Sequence, residues 1–196
     1  MILPGRSLIP KIISNVRFPS VQAQPCGVDL TLKRIKTWTS PGVIDFDNSR
    51  RMKAATTPRP FLKRPRELER LAPQGETCSL PASPASIAPE EQTGGILESI
   101  FLRSGSYLVE FNESVDVPLD LVGQIFVRSS LFRSGALLSA GVMDSGYKGA
   151  VGAMLQVVNP HGLVLYRDAR LAQMVFHQMS EPVVGYSGMF QGQGAV

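Results

Sequence analysis

Residues that build metal centres and disulfide frameworks are scarce in this chain of 196 residues, which contains two cysteines and two histidines. Cys26 and Cys78 lie far apart and share no ligand spacing with His161 or His177, which argues against a zinc motif and predicts free thiols. Long apolar runs are also missing near the start, where Pro, Gly and Arg interrupt residues 1–6. This start is typical of neither a signal peptide nor a membrane span. We therefore expect an intracellular protein, cytoplasmic or nuclear or both, that contacts no membrane.

The balance of residue types favours a globular protein with an anionic ligand. Hydrophobic residues make up 43% of the chain, enough to bury a core, and the length predicts a single domain over residues 1–196. The formal net charge is +4, which suits an anionic ligand without requiring one. On charge alone, nucleic acid stays possible.

One segment differs in composition from the rest. From about Asn48 to Gly95 the chain is rich in Pro, Arg, Lys, Ser and Thr and has almost no apolar periodicity. Such a composition offers no face to bury, so we predict a flexible insertion at about 48–95. Its basic first part, residues 50–70, leaves open a second interpretation, nuclear targeting or nonspecific nucleic-acid binding.

The other parts of the chain have the pattern of short β-strands. Apolar, aromatic and β-branched runs alternate with turn residues such as Gly, Pro, Asn and Asp. The runs are residues 27–32, 106–111, 124–127, 150–158, 163–166 and 171–176. This spacing predicts an all-β sandwich or barrel. Residues 8–13 are predicted to open the fold with a short helix.

Two blocks in the second half carry candidate chemistry. Residues 128–133, Arg-Ser-Ser-Leu-Phe-Arg, offer two guanidiniums and two hydroxyls, the donors that bind phosphate oxygens. Residues 141–149 form a glycine-rich turn that carries Asp144, the only carboxylate between Asp120 and Asp168. Triphosphate hydrolysis needs donors for the charged oxygens and a base for the attacking water. The blocks together suggest this reaction, although Asp-Ser-Gly by itself is also common turn chemistry.

Five blocks in this order resemble the five motifs of the dUTPase and dCTP deaminase superfamily. They are residues 26–32, 128–131, 141–149, 169–176 and 190–194. The resemblance covers the chain from about residue 24 to its last residue, interrupted by the predicted insertion. It implies a distorted jelly roll that assembles into homotrimers, with each active site shared between subunits.

The resemblance also implies a role for each candidate site residue. Asp144 would activate the attacking water, and Tyr147 would pack under the deoxyribose and exclude a 2′-hydroxyl. Backbone groups of the turn around Gly141 and Met143 would hold uracil, which Phe190 would cover. Contacts with the phosphates of dUTP would come from Arg128, Ser129, Ser130, Gln173, Tyr186 and Gln193. For Arg133 the resemblance allows a phosphate contact, and a structural ion pair is the alternative.

Magnesium is the cofactor that the resemblance implies. Mg²⁺ commonly keeps several waters and binds mainly through substrate phosphates, so no dedicated protein cage is expected. Asp29, in the first motif, would touch the ion through water or be purely structural.

Two activities occur in this superfamily, and one strand helps to separate them. Related dCTP deaminases carry a Glu as proton shuttle on the strand after the Asp turn. Here that strand, residues 150–158, has no carboxylate, and the Glu position falls on Met154 or Gln156. Neither side chain exchanges a proton near neutral pH. We therefore predict hydrolysis of dUTP to dUMP and pyrophosphate by water attack on the α-phosphorus, without deamination.

Two alternatives stay open. Residues 189–196 resemble the tail of the deaminase branch, which keeps a dCTP deaminase or a bifunctional dCTP deaminase and dUTPase possible. A non-catalytic dUTPase-like regulator that binds nucleotide is the other. Asp144 argues against a regulator, because a protein that only binds nucleotide has no need of a water-activating carboxylate.

Overall fold

Short strands dominate the computed structural model, which describes residues 1–65 and 96–196. In these ranges the helices are α1 (Gly5–Leu8), α2 (Pro19–Gln22) and α3 (Ser129–Arg133), none of them long and apolar enough to cross a membrane. The strands are β1 (Ile13–Ser14), β2 (Ala23–Gln24), β3 (Gly27–Trp38), β4 (Thr56–Arg59), β5 (Leu62–Pro65), β6 (Ile96–Leu102), β7 (Gly105–Asp116), β8 (Leu121–Val127), β9 (Ala136–Ser139), β10 (Lys148–Val157), β11 (Leu163–Tyr166) and β12 (Arg170–Gln178). The all-β prediction is confirmed, and all six predicted strands are present.

Nine of the strands form one antiparallel sheet. Its order is β8-β12-β3-β7-β10-β9, with β1 paired to β7 and both β2 and β4 paired to β3. The two ends of this order, β8 and β9, contact each other, so the sheet nearly closes like a barrel. A smaller sheet has the order β11-β6-β5. This architecture agrees with the distorted jelly roll that the resemblance implied.

The central strands β7 and β10 separate the core from the surface that forms the site. Successive side chains of a strand point to opposite faces, and on one face Val109, Val151 and Leu155 are buried in the core. Burying one such side chain contributes about 1.5–3 kcal/mol relative to leaving it exposed. The opposite face carries Leu108 and Gly152, which line a cavity of about 450 Å³.

The prediction of a flexible insertion at about 48–95 is wrong for part of its first half. Its early residues 56–59 and 62–65 are the strands β4 and β5, which pair with β3 and β6 respectively. Both are edge strands, where a proline such as Pro58 is tolerated because no sheet partner needs its missing N–H. Polar edge strands lack apolar alternation, which is why composition classed them as flexible. Residues 66–95 of the predicted insertion lie outside the described residues.

The N-terminal helix precedes the segment 8–13 in which it was predicted. Helix α1 ends at Leu8, and Ile9 is already extended, with φ −99° and ψ 132°. Pro10 explains this end, because the residue before a proline is disfavoured in the helical region. Ile13, which had suggested a helix, instead lies in β1 opposite Val115 of β7 and is fully buried.

Candidate active site

A cavity of about 450 Å³ lies between the β9–β10 connection, the outer face of β7 and β10, and the C-terminal tail. Its lining includes the predicted site residues Gly141, Met143, Asp144, Tyr147, Tyr186, Phe190 and Gln193. Asp144 is the only Asp or Glu among the described residues that line it. The structure therefore brings together the predicted base, the predicted sugar contact and the predicted tail residues.

The turn that carries Asp144 is fixed on both sides of this residue. Met143 exchanges two backbone hydrogen bonds of 2.9 Å with Gly123 of β8. Ser145 is buried, and its hydroxyl donates to the Leu121 carbonyl at 2.7 Å. Gly146 has φ +77°, a left-handed conformation that favours glycine. The Asp144 side chain is thus exposed on a backbone that its neighbours hold in place.

Tyr147 forms a rigid wall of the cavity. Its hydroxyl donates to the Ala150 carbonyl at 2.8 Å, and its ring meets Tyr186 edge to face with centroids 5.6 Å apart. Burial, and to a smaller extent Tyr186, raise the pKa of the Tyr147 hydroxyl, so this group stays a protonated donor. A fixed ring of this kind can exclude substituents from one side of a bound sugar.

The C-terminal tail packs along the start of β10. Gly192 donates to the Lys148 carbonyl, and the Gln193 carbonyl accepts from Ala150, both at 2.8 Å. The side chain of Gln191 adds bonds to Lys148 N at 3.0 Å and to Gly146 O at 2.8 Å. The amide of Gln193 itself donates to Met189 O at 2.8 Å, within the tail. These contacts place Phe190 and Gln193 at the cavity.

Sequence reasoning missed several residues that line the same cavity. Trp38 and Thr56, opposite each other on β3 and β4, contribute one side of it, and Lys53 follows from the loop before β4. Lys53 Nζ lies 5.6 Å from the centroid of the Phe190 ring. The nearby Arg51 guanidinium lies 5.9 Å from the same ring. A prediction of a strand at residues 56–59 would have placed these residues at the site.

Five of the predicted phosphate-binding residues form a second group, here called the phosphate cluster. Arg128 is the residue before α3, Ser129, Ser130 and Arg133 lie in that helix, and Gln173 is on β12. None of the five lines the cavity. Arg133 forms none of the ion pairs found among the described residues, and its guanidinium lies 5.8 Å from the Phe132 ring.

Asp29 is fully engaged by two arginines next to the phosphate cluster. Arg128 Nε lies 3.3 Å from Asp29 Oδ1, and Arg170 Nη1 lies 3.2 Å from Asp29 Oδ2. Burial raises the pKa of Asp29, and the charges of both arginines oppose that rise. The carboxylate is 1% exposed, so its contacts favour the structural alternative, in which Asp29 orients Arg128. Across residues 1–65 and 96–196, no group of three or more His, Cys, Asp or Glu side chains is placed to hold a metal ion.

Comparison with known proteins gives the family. A sequence model described as dCTP deaminase-like matches residues 6–179. The chain belongs to the dCTP deaminase-like family. A probable deoxyuridine 5′-triphosphate nucleotidohydrolase of Methanosarcina mazei is 35% identical over 185 residues, which is 94% of this chain and 89% of the relative. A probable enzyme of the same name from Aeropyrum pernix is 33% identical over 196 residues, 99% of each chain.

A solved structure of this family has the same fold. The crystal structure of 2′-deoxycytidine 5′-triphosphate deaminase from Agrobacterium tumefaciens aligns with a TM-score of 0.53 and 18% identity. The alignment covers 90% of this chain and 48% of that one, so the chain spans about half the length of the deaminase. At this identity the likeness shows the fold alone.

The strand on which the resemblance placed the Glu of the deaminases is β10. Met154 and Gln156 are exposed on its outer face, and neither lines the cavity, whereas Ala150 and Gly152 do. The outer face of β10 therefore presents small residues to the cavity and no group that could exchange a proton.

Glu110 is a carboxylate on the same face, opposite Gly152 on β7. It is fully buried, with Lys33 Nζ at 2.8 Å and Lys36 Nζ at 3.4 Å. Burial would raise the pKa of Glu110, but its contacts with Lys33, Arg34 and Lys36 outweigh burial and lower it. Glu110 is thus held ionised, and it does not line the cavity.

Proposed function

We propose that this protein is a dUTP diphosphatase, which hydrolyses dUTP to dUMP and pyrophosphate and so limits uracil in DNA. The observation that carries the proposal is the cavity, in whose lining Asp144 is the only Asp or Glu of the described residues. The relatives from Methanosarcina mazei and Aeropyrum pernix, aligned over almost the whole chain, bear the name of this activity.

Asp144 takes the proton of a water that attacks the α-phosphorus, and pyrophosphate leaves. A positioned base contributes about 10²- to 10⁴-fold to such a step. Tyr147 packs against the deoxyribose, and the backbone around Gly141 and Met143 binds the uracil edge. Phe190 covers the base, while Tyr186 and Gln193 lie where the tail approaches the nucleotide.

The phosphate cluster serves the cavity of a neighbouring copy in a homotrimer. Its residues do not line the cavity of their own chain, although guanidinium and hydroxyl groups are the donors that a triphosphate requires. Cyclic assembly lets each copy supply this cluster to the next. Asp29 supports the arrangement by holding Arg128 in place.

Mg²⁺ is proposed to enter with the triphosphate and to neutralise part of its charge. The described residues offer no ligand cage, and both oxygens of Asp29 already face arginines. Contacts of the ion with the phosphates of dUTP fit this chain better than contacts with side chains. The water-mediated contact with Asp29 stays a prediction, as do the single domain over residues 1–196 and the intracellular location.

A dCTP deaminase is the second candidate, because the matching family model and the solved structure both carry that name. Chromatographic product analysis after incubation with Mg²⁺ and either dUTP or dCTP separates the candidates. We expect dUMP and pyrophosphate from dUTP and no product from dCTP. Formation of dUTP or dUMP from dCTP would contradict the absence of a shuttle, and no turnover of either nucleotide would favour a regulator.

A further inference from the structure

Lys53 is a cation in the nucleotide cavity to which none of the five motifs assigns a role. It is the only Lys or Arg among the described residues that line the cavity. No carboxylate of the described ranges lies within ion-pair distance of its ammonium group. An exposed cation at the edge of a largely apolar cavity is available to a ligand.

The contacts of Lys53 place it at the base end of the cavity. Its Nζ lies 5.6 Å from the ring centroid of Phe190, the residue proposed to cover the uracil. Of the predicted phosphate ligands, the phosphate cluster around Arg128 and α3 lies outside this cavity, whereas Tyr186 and Gln193 line it. The short distance to Phe190 is what places Lys53 on the side of the base.

Uracil and cytosine differ in what they present at C4. Uracil has a carbonyl oxygen there, which accepts hydrogen bonds, whereas cytosine has an amino group, which donates them. An ammonium group has three donors and no acceptor, so it can bond to the carbonyl oxygen of uracil but not to the amino group of cytosine. A lysine at this edge would favour uracil even though both bases have the same shape.

We propose that Lys53 donates a hydrogen bond to the C4 carbonyl oxygen of uracil and is a specificity-determining residue that favours deoxyuridine over deoxycytidine nucleotides. The proposal rests on the proposed function. It adds a side-chain contact to a base otherwise held by the backbone around Gly141 and Met143. The contact comes from the loop before β4, inside the segment that composition classed as an insertion.

Arg51 provides a matched control for this role. Its guanidinium lies 5.9 Å from the Phe190 ring, nearly as close as the Lys53 ammonium, yet Arg51 does not line the cavity. A loss of nucleotide affinity that comes only from weaker packing of the tail should appear in both Arg51→Met and Lys53→Met. A loss of base discrimination should appear in Lys53→Met alone.

The test measures dissociation constants of α,β-imido-dUTP and α,β-imido-dCTP by calorimetry in the presence of Mg²⁺. For Lys53→Met we expect affinity for the dUTP analogue to fall about 10- to 100-fold, with little change for the dCTP analogue. Arg51→Met should leave the ratio of the two affinities unchanged. Lys53→Arg, which keeps a charged donor, should preserve most of the preference.

If Lys53→Met weakened the binding of both analogues equally, the proposal would be overturned, because this result would indicate a contact of Lys53 with the phosphates or the tail. The proposal would also be overturned if Arg51→Met changed the ratio of the two affinities as much as Lys53→Met does. Turnover of dUTP by the wild-type protein is measured in parallel. If the wild type does not hydrolyse dUTP, the proposed function fails, whereas a wild type that hydrolyses dUTP with unchanged discrimination in Lys53→Met refutes only the role of Lys53.

Discussion

Asp144 owes its position to the backbone on either side of it. Met143 is bonded to β8 and Ser145 to Leu121, so replacing the carboxylate by an amide should leave the turn intact. Asparagine has a similar shape but accepts no proton. Asp144→Asn should therefore reduce turnover of dUTP about 10²- to 10⁴-fold, measured by pyrophosphate release. The affinity for α,β-imido-dUTP should change little, and unchanged turnover would remove Asp144 from the role of base.

Tyr147 is expected to determine which sugar enters the cavity. Tyr147→Ala removes the ring that packs beside Tyr186. The ratio of kcat/KM for UTP to kcat/KM for dUTP should therefore rise by at least about 10-fold. Tyr147→Phe is the control, because it keeps the ring and loses only the hydrogen bond to Ala150 O. If the alanine variant still rejects UTP as the wild type does, the sugar is discriminated elsewhere.

At the scale of elements, Glu113 of β7 connects helix α2 and strand β3 through its side chain. Its carboxylate is 1% exposed and accepts from Thr31 N at 2.8 Å, Thr31 Oγ1 at 2.7 Å and Gln22 Nε2 at 2.7 Å. Glu113→Gln replaces one acceptor by an NH₂ group and leaves a buried donor unpaired. The free energy of unfolding should fall by about 1–3 kcal/mol at neutral pH, measured by urea titration.

The pH dependence of this loss follows from the pKa of Glu113. Burial raises that pKa above the ordinary 4.5, although hydrogen bonds from Thr31 and Gln22 oppose the rise. The folded state then binds more protons than the unfolded state, so this group's contribution to stability falls as pH rises from 4.5 to the raised pKa. The stability difference between wild type and Glu113→Gln should shrink over this interval and stay constant above it. A difference that grows with pH would contradict the raised pKa.

Strands that bury one face were predictable from sequence, and strands at sheet edges were not. Residues 106–111 and 150–158 alternate in β7 and β10 because their inner faces pack in the core. Strands β4 and β5 have no such alternation, since each pairs on one side and carries proline. Their existence depends on register with distant strands, which local pattern does not encode.

The same difference applies to the site. Asp144, Tyr147 and Phe190 belong to contiguous motifs and were predicted from them. Lys53 and Trp38 line the same cavity only because β4 pairs with β3 over residues 56–59. Separation of the phosphate cluster from the cavity is likewise a property of the folded chain, because both blocks lie within 22 residues, 128–149, of one sequence.

At the scale of the whole molecule, the proposed nucleotide site is divided between two parts of the chain. The cavity holds the carboxylate, and the phosphate cluster lies outside its lining. In a homotrimer a neighbour would complete each half. Asp29 contacts both Arg128 and Arg170, and none of the ion pairs among the described residues joins Arg128 to Asp144. A variant in either half should then be rescued by a copy that is intact in that half.

The most direct test mixes Asp144→Asn with Arg128→Gln, variants that should each be inactive toward dUTP alone. After joint refolding of equal amounts, random assortment gives hybrid trimers in which about one quarter of the sites combine an intact Asp144 with an intact Arg128 from the neighbour. We predict that dUTP hydrolysis recovers to about that fraction of wild-type activity. If hybrid trimers form and dUTP hydrolysis does not recover, the result would contradict the claim that another copy supplies Arg128 to the site of Asp144.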